Sequence, residues 1–476
     1  MSETTGSPTG PVDPQRLLVV LPSTGEFDSR TYRIATAAVA RGHRVTVLAR
    51  WKPGLAERER DPAGYEIVRV AADPGEALPG RASARQLLHR VRRSGGAPGS
   101  TAATARGTRS SQSTAGGTPA AGTPADRVSP PDAAPSGVAS RSLVRRLASR
   151  VVRQWSILLT VRSQAQRARA VAPEVDLIHG MAYMGIPVAL AIADKQSPRP
   201  QVVYDARDIY MDAANLARTR GPVRMAIARA ERRWARRADR VITVNQPYAD
   251  VMAERFAVTG PLVVMNCSFR FEPPRPRERR FHDALGLAPS CRVVLYQGGF
   301  SADRGIEQLF DAIPSIDDAV LVLMGYGHHE PVYRERAAAP DLAGRVHILP
   351  AVAPAELLSW VAASDVVAMP IQPTTLNHRL TTPNKLFEAM AAGVPVVASD
   401  LPGMAPIVRQ TGCGLVVDPT DPAAIAAACR EILDAPPDEA AAWRERALAA
   451  AHATYNWEGQ ADRLFAEYSR LTGRRW

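Results

Sequence analysis

Two strand-to-helix junctions in this chain carry residue types suited to holding a phosphorylated ligand. The stretch 381–403, TTPNKLFEAMAAGVPVVASDLPG, sets Lys385 and Glu388 three positions apart, on one face of a helix whose first turn accommodates Pro383. A lysine there can neutralise a phosphate oxygen, and a glutamate one turn on can accept two hydrogen bonds from a ribose diol. The bland alternative is a surface Lys–Glu pair worth only ~0.3–0.5 kcal/mol. The choice of lysine is informative, because only Lys52, Lys195 and Lys385 among 59 basic residues are lysines. The second junction is YQGGFSADRGIEQL (296–309). Gly298 and Gly299 end a strand and let backbone amides approach an anion, and Arg304 opens the next helix near its positive end. Double glycines after strands are common, so this junction alone also fits an ordinary turn.

Such junctions need sheets beneath them. Apolar runs at 292–299, 319–325, 345–350, 365–370, 394–400 and 414–418 alternate with helical patterns. Earlier in the chain, runs at 17–21, 45–50, 175–180, 201–206, 240–245 and 262–266 do the same. Unbroken apolar strands separated by helices predict parallel sheets, so the fold class is α/β, with two Rossmann-like doubly wound domains facing a central cleft. The layout expected is a flexible segment 1–15, a first domain 16–270, a Pro/Arg-rich linker 271–280, a second domain 281–455 and a terminal helix 456–476. No G-x-G-x-x-G follows the first strand, which argues against a dinucleotide-dependent oxidoreductase. No carboxylate pair is placed to bind a metal; Asp317–Asp318 reads as a turn.

A net charge of +12 in 476 residues suggests nucleic acid until it is located. Between Arg81 and Ala170, 16 arginines face only Asp126 and Asp132, giving +14 and leaving −2 for the rest of the chain. Within that segment, 94–140 is rich in Ser, Thr, Gly, Ala and Pro and predicts disorder. Residues 141–170 follow as a basic amphipathic helix: Leu143, Leu147, Val151, Trp155 and Leu158 share one side, Arg145, Arg146, Arg150 and Arg153 the other. It fits either packing on its own domain or, through 141–160, peripheral contact with an anionic membrane or lipid-linked substrate. Aromatic interleaving for base stacking is absent, so no nucleic-acid partner is expected. Four scattered cysteines, no apolar run long enough to span a bilayer and no leader-like N-terminus predict a cytoplasmic protein, peripheral at most to the inner membrane face.

The run PNKLFEAMAAGVPVV, with YQGGFSADRGIEQL, resembles the donor half of GT-B glycosyltransferases of family 4, the retaining nucleotide-sugar enzymes. More loosely, LPSTGEFDSRTYRIATAAVARGHRVTVLAR, YDARDIY, RRADRVITVN and NWEGQADRLFAEY resemble the rest of that fold. The resemblance implies a metal-independent hexosyltransferase with no cofactor, moving sugar from a UDP- or GDP-sugar to a saccharide, lipid-linked or small-molecule acceptor. It implies donor binding by Gly298, Gly299, Arg304, Thr381, Thr382, Lys385 and Glu388, Glu388 matching the second glutamate of the family's E-x7-E motif. Arg304 and Lys385 are then the catalytic cations. The chain departs from the pattern at Leu380, where the first glutamate would fall, at Gly298, where a second basic residue is usual, and at Met181, where many members carry histidine. His179, two residues earlier, is either catalytic or a core residue. Gly25, Asp28 and Arg30 are candidates for the acceptor side, with a helix N-cap as the other reading of Asp28. Two further readings are a catalytically impaired nucleotide-sugar-binding subunit and a sugar-nucleotide epimerase.

Overall fold

The computed structural model describes residues 13–26, 28–72, 159–217 and 221–476. The insertion 94–140, residues 141–158 of the basic helix and residues 1–12 lie outside the described residues; 159–171 are helical. Among the described residues, fourteen strands form two sheets. The first holds β1 (Arg16–Val20), β2 (Arg44–Arg50), β3 (Arg58–Arg60), β4 (Glu66–Val70), β5 (Leu177–Met181), β6 (Gln201–Asp205), β7 (Arg240–Thr243) and β8 (Leu262–Val263). Their order is β3-β4-β2-β1-β5-β6-β7-β8, parallel except for β3 against β4. The second holds β9 (Arg292–Gly299), β10 (Ala319–Tyr326), β11 (Val346–Pro350), β12 (Val366–Met369), β13 (Val396–Ser399) and β14 (Gly414–Val417), all parallel in the order β11-β10-β9-β12-β13-β14. In both sheets the chain starts at a central strand and reverses direction, creating the switch point at which such sheets bind ligands.

Both faces of the second sheet are covered, which explains its unbroken apolar strands. Along β9, Val293 and Leu295 point into one apolar cluster with Val320, Val322 and Met324, and Val294 and Tyr296 into another with Leu321 and Leu323. The helices that position the site are α1 (Ser29–Ala40), α2 (Ala182–Ala193), α3 (Pro222–Ala235), α4 (Gln246–Phe256), α5 (Ile306–Ala312), α6 (Asn384–Ala391), α7 (Pro437–Ala453) and α8 (Trp457–Thr472). Helix α6 is anchored by Leu386, Phe387, Ala389 and Met390 in the first of those clusters, and α7 adds Ala447 and Ala451. Helix α8 returns to the first sheet: Trp457, Leu464, Phe465 and Tyr468 pack with Leu17, Val19, Val47 and Leu177. Trp457 also donates its indole N–H to the Arg33 carbonyl of α1 at 3.0 Å. Asn456 caps α8, accepting from Gly459 N.

The sequence-based expectation omits β3 and β4. Their charged RER and EIVRV pattern lacks the continuous apolar run that marks the buried strands. Pro383 is the N-cap residue of α6, one position earlier than its expected place in the first turn.

Candidate active site

A cavity of about 450 Å³ opens where the carboxyl ends of the two sheets face each other. The second sheet contributes Gln297, Gly298 and Gly299 at the end of β9, Arg304 before α5, and Thr381, Thr382, Asn384, Lys385 and Glu388 around the start of α6. The first contributes Ser29 on α1, Arg207 and Asp208 after β6, and Asn266 after β8.

Lys385 is the centre of this wall. It is 8% exposed, its Nζ lies 3.3 Å from the Tyr296 ring centroid, and it has no hydrogen-bond partner among the described residues. Burial and, next, repulsion from Arg304 push its pKa well below the usual lysine value, against the opposing pull of Glu388. A buried ammonium without an acceptor is costly, and an arriving anion would relieve that cost. Gly298 lies directly beside it: a side chain there would begin 3.7 Å from the Lys385 Nζ. Lys385 thus brings its amino group to the place of the glycine at 298, from another element. Gly298 has φ +126°, a conformation that favours glycine. At Gly305, the N-cap of α5, a Cβ would sit 2.0 Å from the Pro370 carbonyl, so the backbone that presents Arg304 requires glycine. Arg304 itself is two residues ahead of α5 rather than within it.

Glu388 is 6% exposed and faces the Arg33 guanidinium of α1 across 3.5 Å. The exposed Lys–Glu pair allowed by the sequence is therefore not formed. Both side chains are buried, and they face the cavity because the rest of α6 is committed to the core. Thr382 donates to the Gly403 carbonyl at 2.6 Å and accepts from Asn245 Nδ2 at 2.9 Å, fixing the loop ahead of α6.

Several cavity residues escaped sequence reasoning. Gln297 is 3% exposed, and neither polar atom of its amide has a partner among the described residues. Asn266 donates to Asn384 Oδ1 at 2.8 Å, and Asn384 donates to Ser29 Oγ at 3.3 Å, linking the two halves across the cavity. Their only sequence signal was position at strand ends, which many residues share.

The first-sheet candidates are placed differently from expectation. Arg30 is fully buried and donates to Asp205 Oδ2 at 2.6 Å and to the Val264 carbonyl at 2.9 Å, so it is a core residue with no face toward an acceptor. His179 is also fully buried, hydrogen-bonded through Nδ1 to Tyr468 Oη at 2.5 Å and through Nε2 to Asp205 Oδ2 at 2.9 Å. It does not line the cavity, and the core reading replaces the catalytic one. Burial alone would raise the Asp205 pKa, but Arg30 and His179 outweigh it and hold the carboxylate ionised. Asp28 accepts from Thr31 N at 2.9 Å as the N-cap of α1 and also binds Arg207 Nη1 through both oxygens, at 2.9 and 2.8 Å. Gly25 (φ +87°) lies against Leu21 and Ala49, away from the cavity lining. Met181 is fully buried, and the Leu380 side chain does not line the cavity.

Two facing doubly wound parallel sheets with an anion-ready cleft constitute the GT-B fold, and similar solved structures agree. Sucrose-phosphate synthase from Thermosynechococcus elongatus aligns with a TM-score of 0.64 at 18% identity, over 96% of this chain and 99% of that one. HepE from Anabaena in complex with UDP-glucose gives 0.60 at 17% identity, over 96% and 100%. Residues 291–435, a stretch that holds β9–β14 with Arg304, Lys385 and Glu388, match the family model described as Glycosyl transferases group 1. A D-inositol 3-phosphate glycosyltransferase of Thermobispora bispora is 29% identical over 46% of this chain and 52% of its own length. A GDP-mannose-dependent alpha-(1-6)-phosphatidylinositol monomannoside mannosyltransferase of Mycobacterium tuberculosis is 33% identical over 35% and 43%. The chain thus spans about half the length of the curated relatives it matches.

Proposed function

We propose that this chain is a hexosyltransferase that binds a UDP- or GDP-sugar in the cleft and transfers the sugar, with retention, to a saccharide, lipid-linked or small-molecule acceptor. The observation that carries the reading is the buried Lys385 amino group beside Gly298, without a hydrogen-bond partner among the described residues, with Arg304 on the same cavity. In this reading the two cations take the donor diphosphate and Glu388 the ribose diol. As the bond from the anomeric carbon to the diphosphate breaks, negative charge grows on the departing phosphate. Lys385 and Arg304 stabilise that charge more than the ground state, without reorganising. The acceptor hydroxyl bonds to the same carbon face, and its proton passes to the leaving phosphate oxygen. Losing one such cation costs ~3–4 kcal/mol, roughly 10²–10³ in rate. The reading needs no metal or cofactor.

Among the described residues no helix is long and apolar enough to cross a membrane. The four cysteines are free, which supports a cytoplasmic setting as part of this reading. Membrane contact through 141–160 is likewise a proposal. A panel of UDP- and GDP-sugars, scored for nucleoside diphosphate release with and without candidate acceptors, tests the assignment. Release with one base, abolished in Lys385→Met, supports it, and product anomeric configuration read by NMR tests retention. The second reading, a binding subunit without turnover, is favoured by the Leu380 side chain outside the cavity and by buried Met181. Donor that binds but is neither hydrolysed nor transferred identifies it.

A further inference from the structure

The cavity is lined by two carboxylates, one from each half: Glu388 from α6 and Asp208 from the segment after β6. The donor reading uses Glu388, three residues from Lys385 and backed by Arg33. It gives Asp208 no task. Asp208 is nevertheless held with care. Asn377, 5% exposed in the one-turn helix Leu376–Arg379 ahead of α6, donates its Nδ2 to Asp208 Oδ1 at 3.1 Å. The Asn377 amide oxygen accepts from Ile209 N at 2.7 Å and from Tyr248 Oη at 2.8 Å, so the asparagine is fixed at both ends. A neutral amide orients the carboxylate without pairing with it as a cation would. Asp208 also reaches beyond this cavity, lining a second one of about 330 Å³ with apolar Met211, Met252 and Phe256 and with charged Arg224, Arg229, Glu231, Arg232 and Arg255. It therefore stands where the donor cleft meets the first half's own hollow. Arg304 and Asp208 line the same cavity, which puts the cation and this carboxylate in the same neighbourhood.

We propose that Asp208 accepts hydrogen bonds from the hydroxyls of the sugar carried by the donor, and that Asn377 is its positioning residue. The inference rests on the donor reading above and specifies the part of the ligand that reading left unassigned. A nucleotide-sugar presents hydroxyls at both ends of an anionic centre: a ribose diol on one side and a neutral polyol on the other. Two carboxylates flanking cations match that pattern, because ionised carboxylates accept without donating and bind hydroxyl pairs well. The ligand class is thus a neutral sugar with free hydroxyls on the side facing the first half.

The test separates the sugar from the nucleotide. UDP, UDP-glucose, GDP and GDP-mannose are titrated calorimetrically into wild type, Asp208→Asn, Asp208→Ala and Asn377→Ala. For the nucleotide that binds, Asp208→Ala should weaken its sugar ester roughly 10–100-fold, the size of a lost hydrogen bond to a charged group, and leave the free diphosphate within about twofold. Asp208→Asn should fall between, and Asn377→Ala should show a smaller loss of the same kind. Retained diphosphate binding also shows that each variant folds. Parallel weakening of both ligands, or no change in either, overturns the assignment. Failure of wild type to bind any of the four overturns the donor reading, and this inference with it.

Discussion

Arg33 on α1 and Glu388 on α6 face each other across 3.5 Å, each buried, and join two halves of the molecule through the wall of the cavity. Arg33 is itself fixed, donating through Nη1 to the Asn266 carbonyl at 3.0 Å and to Asn266 Oδ1 at 2.8 Å. Glu388 is thereby held at a set place, as the proposed acceptor for a ribose diol should be. The wild type is expected to bind a ribonucleoside diphosphate roughly 10-fold or more tighter than its 2′-deoxy analogue, the scale of a charge-assisted hydrogen bond. Glu388→Gln should shrink that ratio toward one. Equal affinities in the wild type would remove Glu388 from the ribose.

Lys385→Met should separate stability from function. The substitution removes an amino group that is buried, without a hydrogen-bond partner among the described residues and disfavoured as a cation by Arg304, while keeping most of its length. An unsatisfied buried group costs ~1–3 kcal/mol, partly offset here by the Tyr296 ring at 3.3 Å. Urea unfolding of the ligand-free protein should give unchanged or greater stability, while nucleotide binding is lost. A clear loss of stability would mean that Lys385 serves the fold.

Glu231, on α3, should make stability pH-dependent at a distance from the donor cleft. Its burial pushes the pKa from 4.5 up to about 7, and the Tyr204 hydroxyl, donating at 2.7 Å, only partly offsets the shift. The folded chain then holds a proton that the unfolded chain has lost between those values. The contribution is most favourable below pH 4.5 and falls away as pH rises through about 7, by ~3 kcal/mol in all. Glu231→Gln, which keeps an acceptor for Tyr204, should flatten the stability profile between pH 5 and 8. A wild-type profile that is already flat there would contradict the assignment.

The buried chain Tyr468–His179–Asp205–Arg30 ties α8 to the first sheet. Tyr468→Phe leaves His179 Nδ1 without its partner and should cost ~1–3 kcal/mol in urea unfolding. Nucleotide affinity should not move, and neither should the pH profile of any turnover. A shift in that pH profile would return His179 to a chemical role.

The sequence made the second half's share of the cavity wall legible because its residues are local. Lys385 and Glu388 lie on one helix turn, and Gly298 and Arg304 lie on one strand-to-helix connection, so type and spacing sufficed. The groups arriving from the first half were not legible. Arg33 meets Asn266 across 233 residues, and Asn377 meets Asp208 across 169. No periodicity encodes such partners. The same gap misdirected Arg30 and His179. Both sit near carboxyl ends of strands, where ligand groups collect, yet both turn toward Asp205, 175 and 26 residues away in sequence. Strand position shows which end of a sheet a residue occupies, and only packing shows which way its side chain turns.

The Lys385–Arg304–Glu388 wall is proposed to bind a nucleoside diphosphate. Isothermal titration of UDP and GDP into the wild type, Lys385→Met and Glu388→Ala tests it most directly. One nucleotide should bind the wild type, and the same nucleotide should bind each folded variant at least about 10-fold more weakly. Binding that survives both substitutions undiminished, or no binding of either nucleotide to the wild type, would contradict the account.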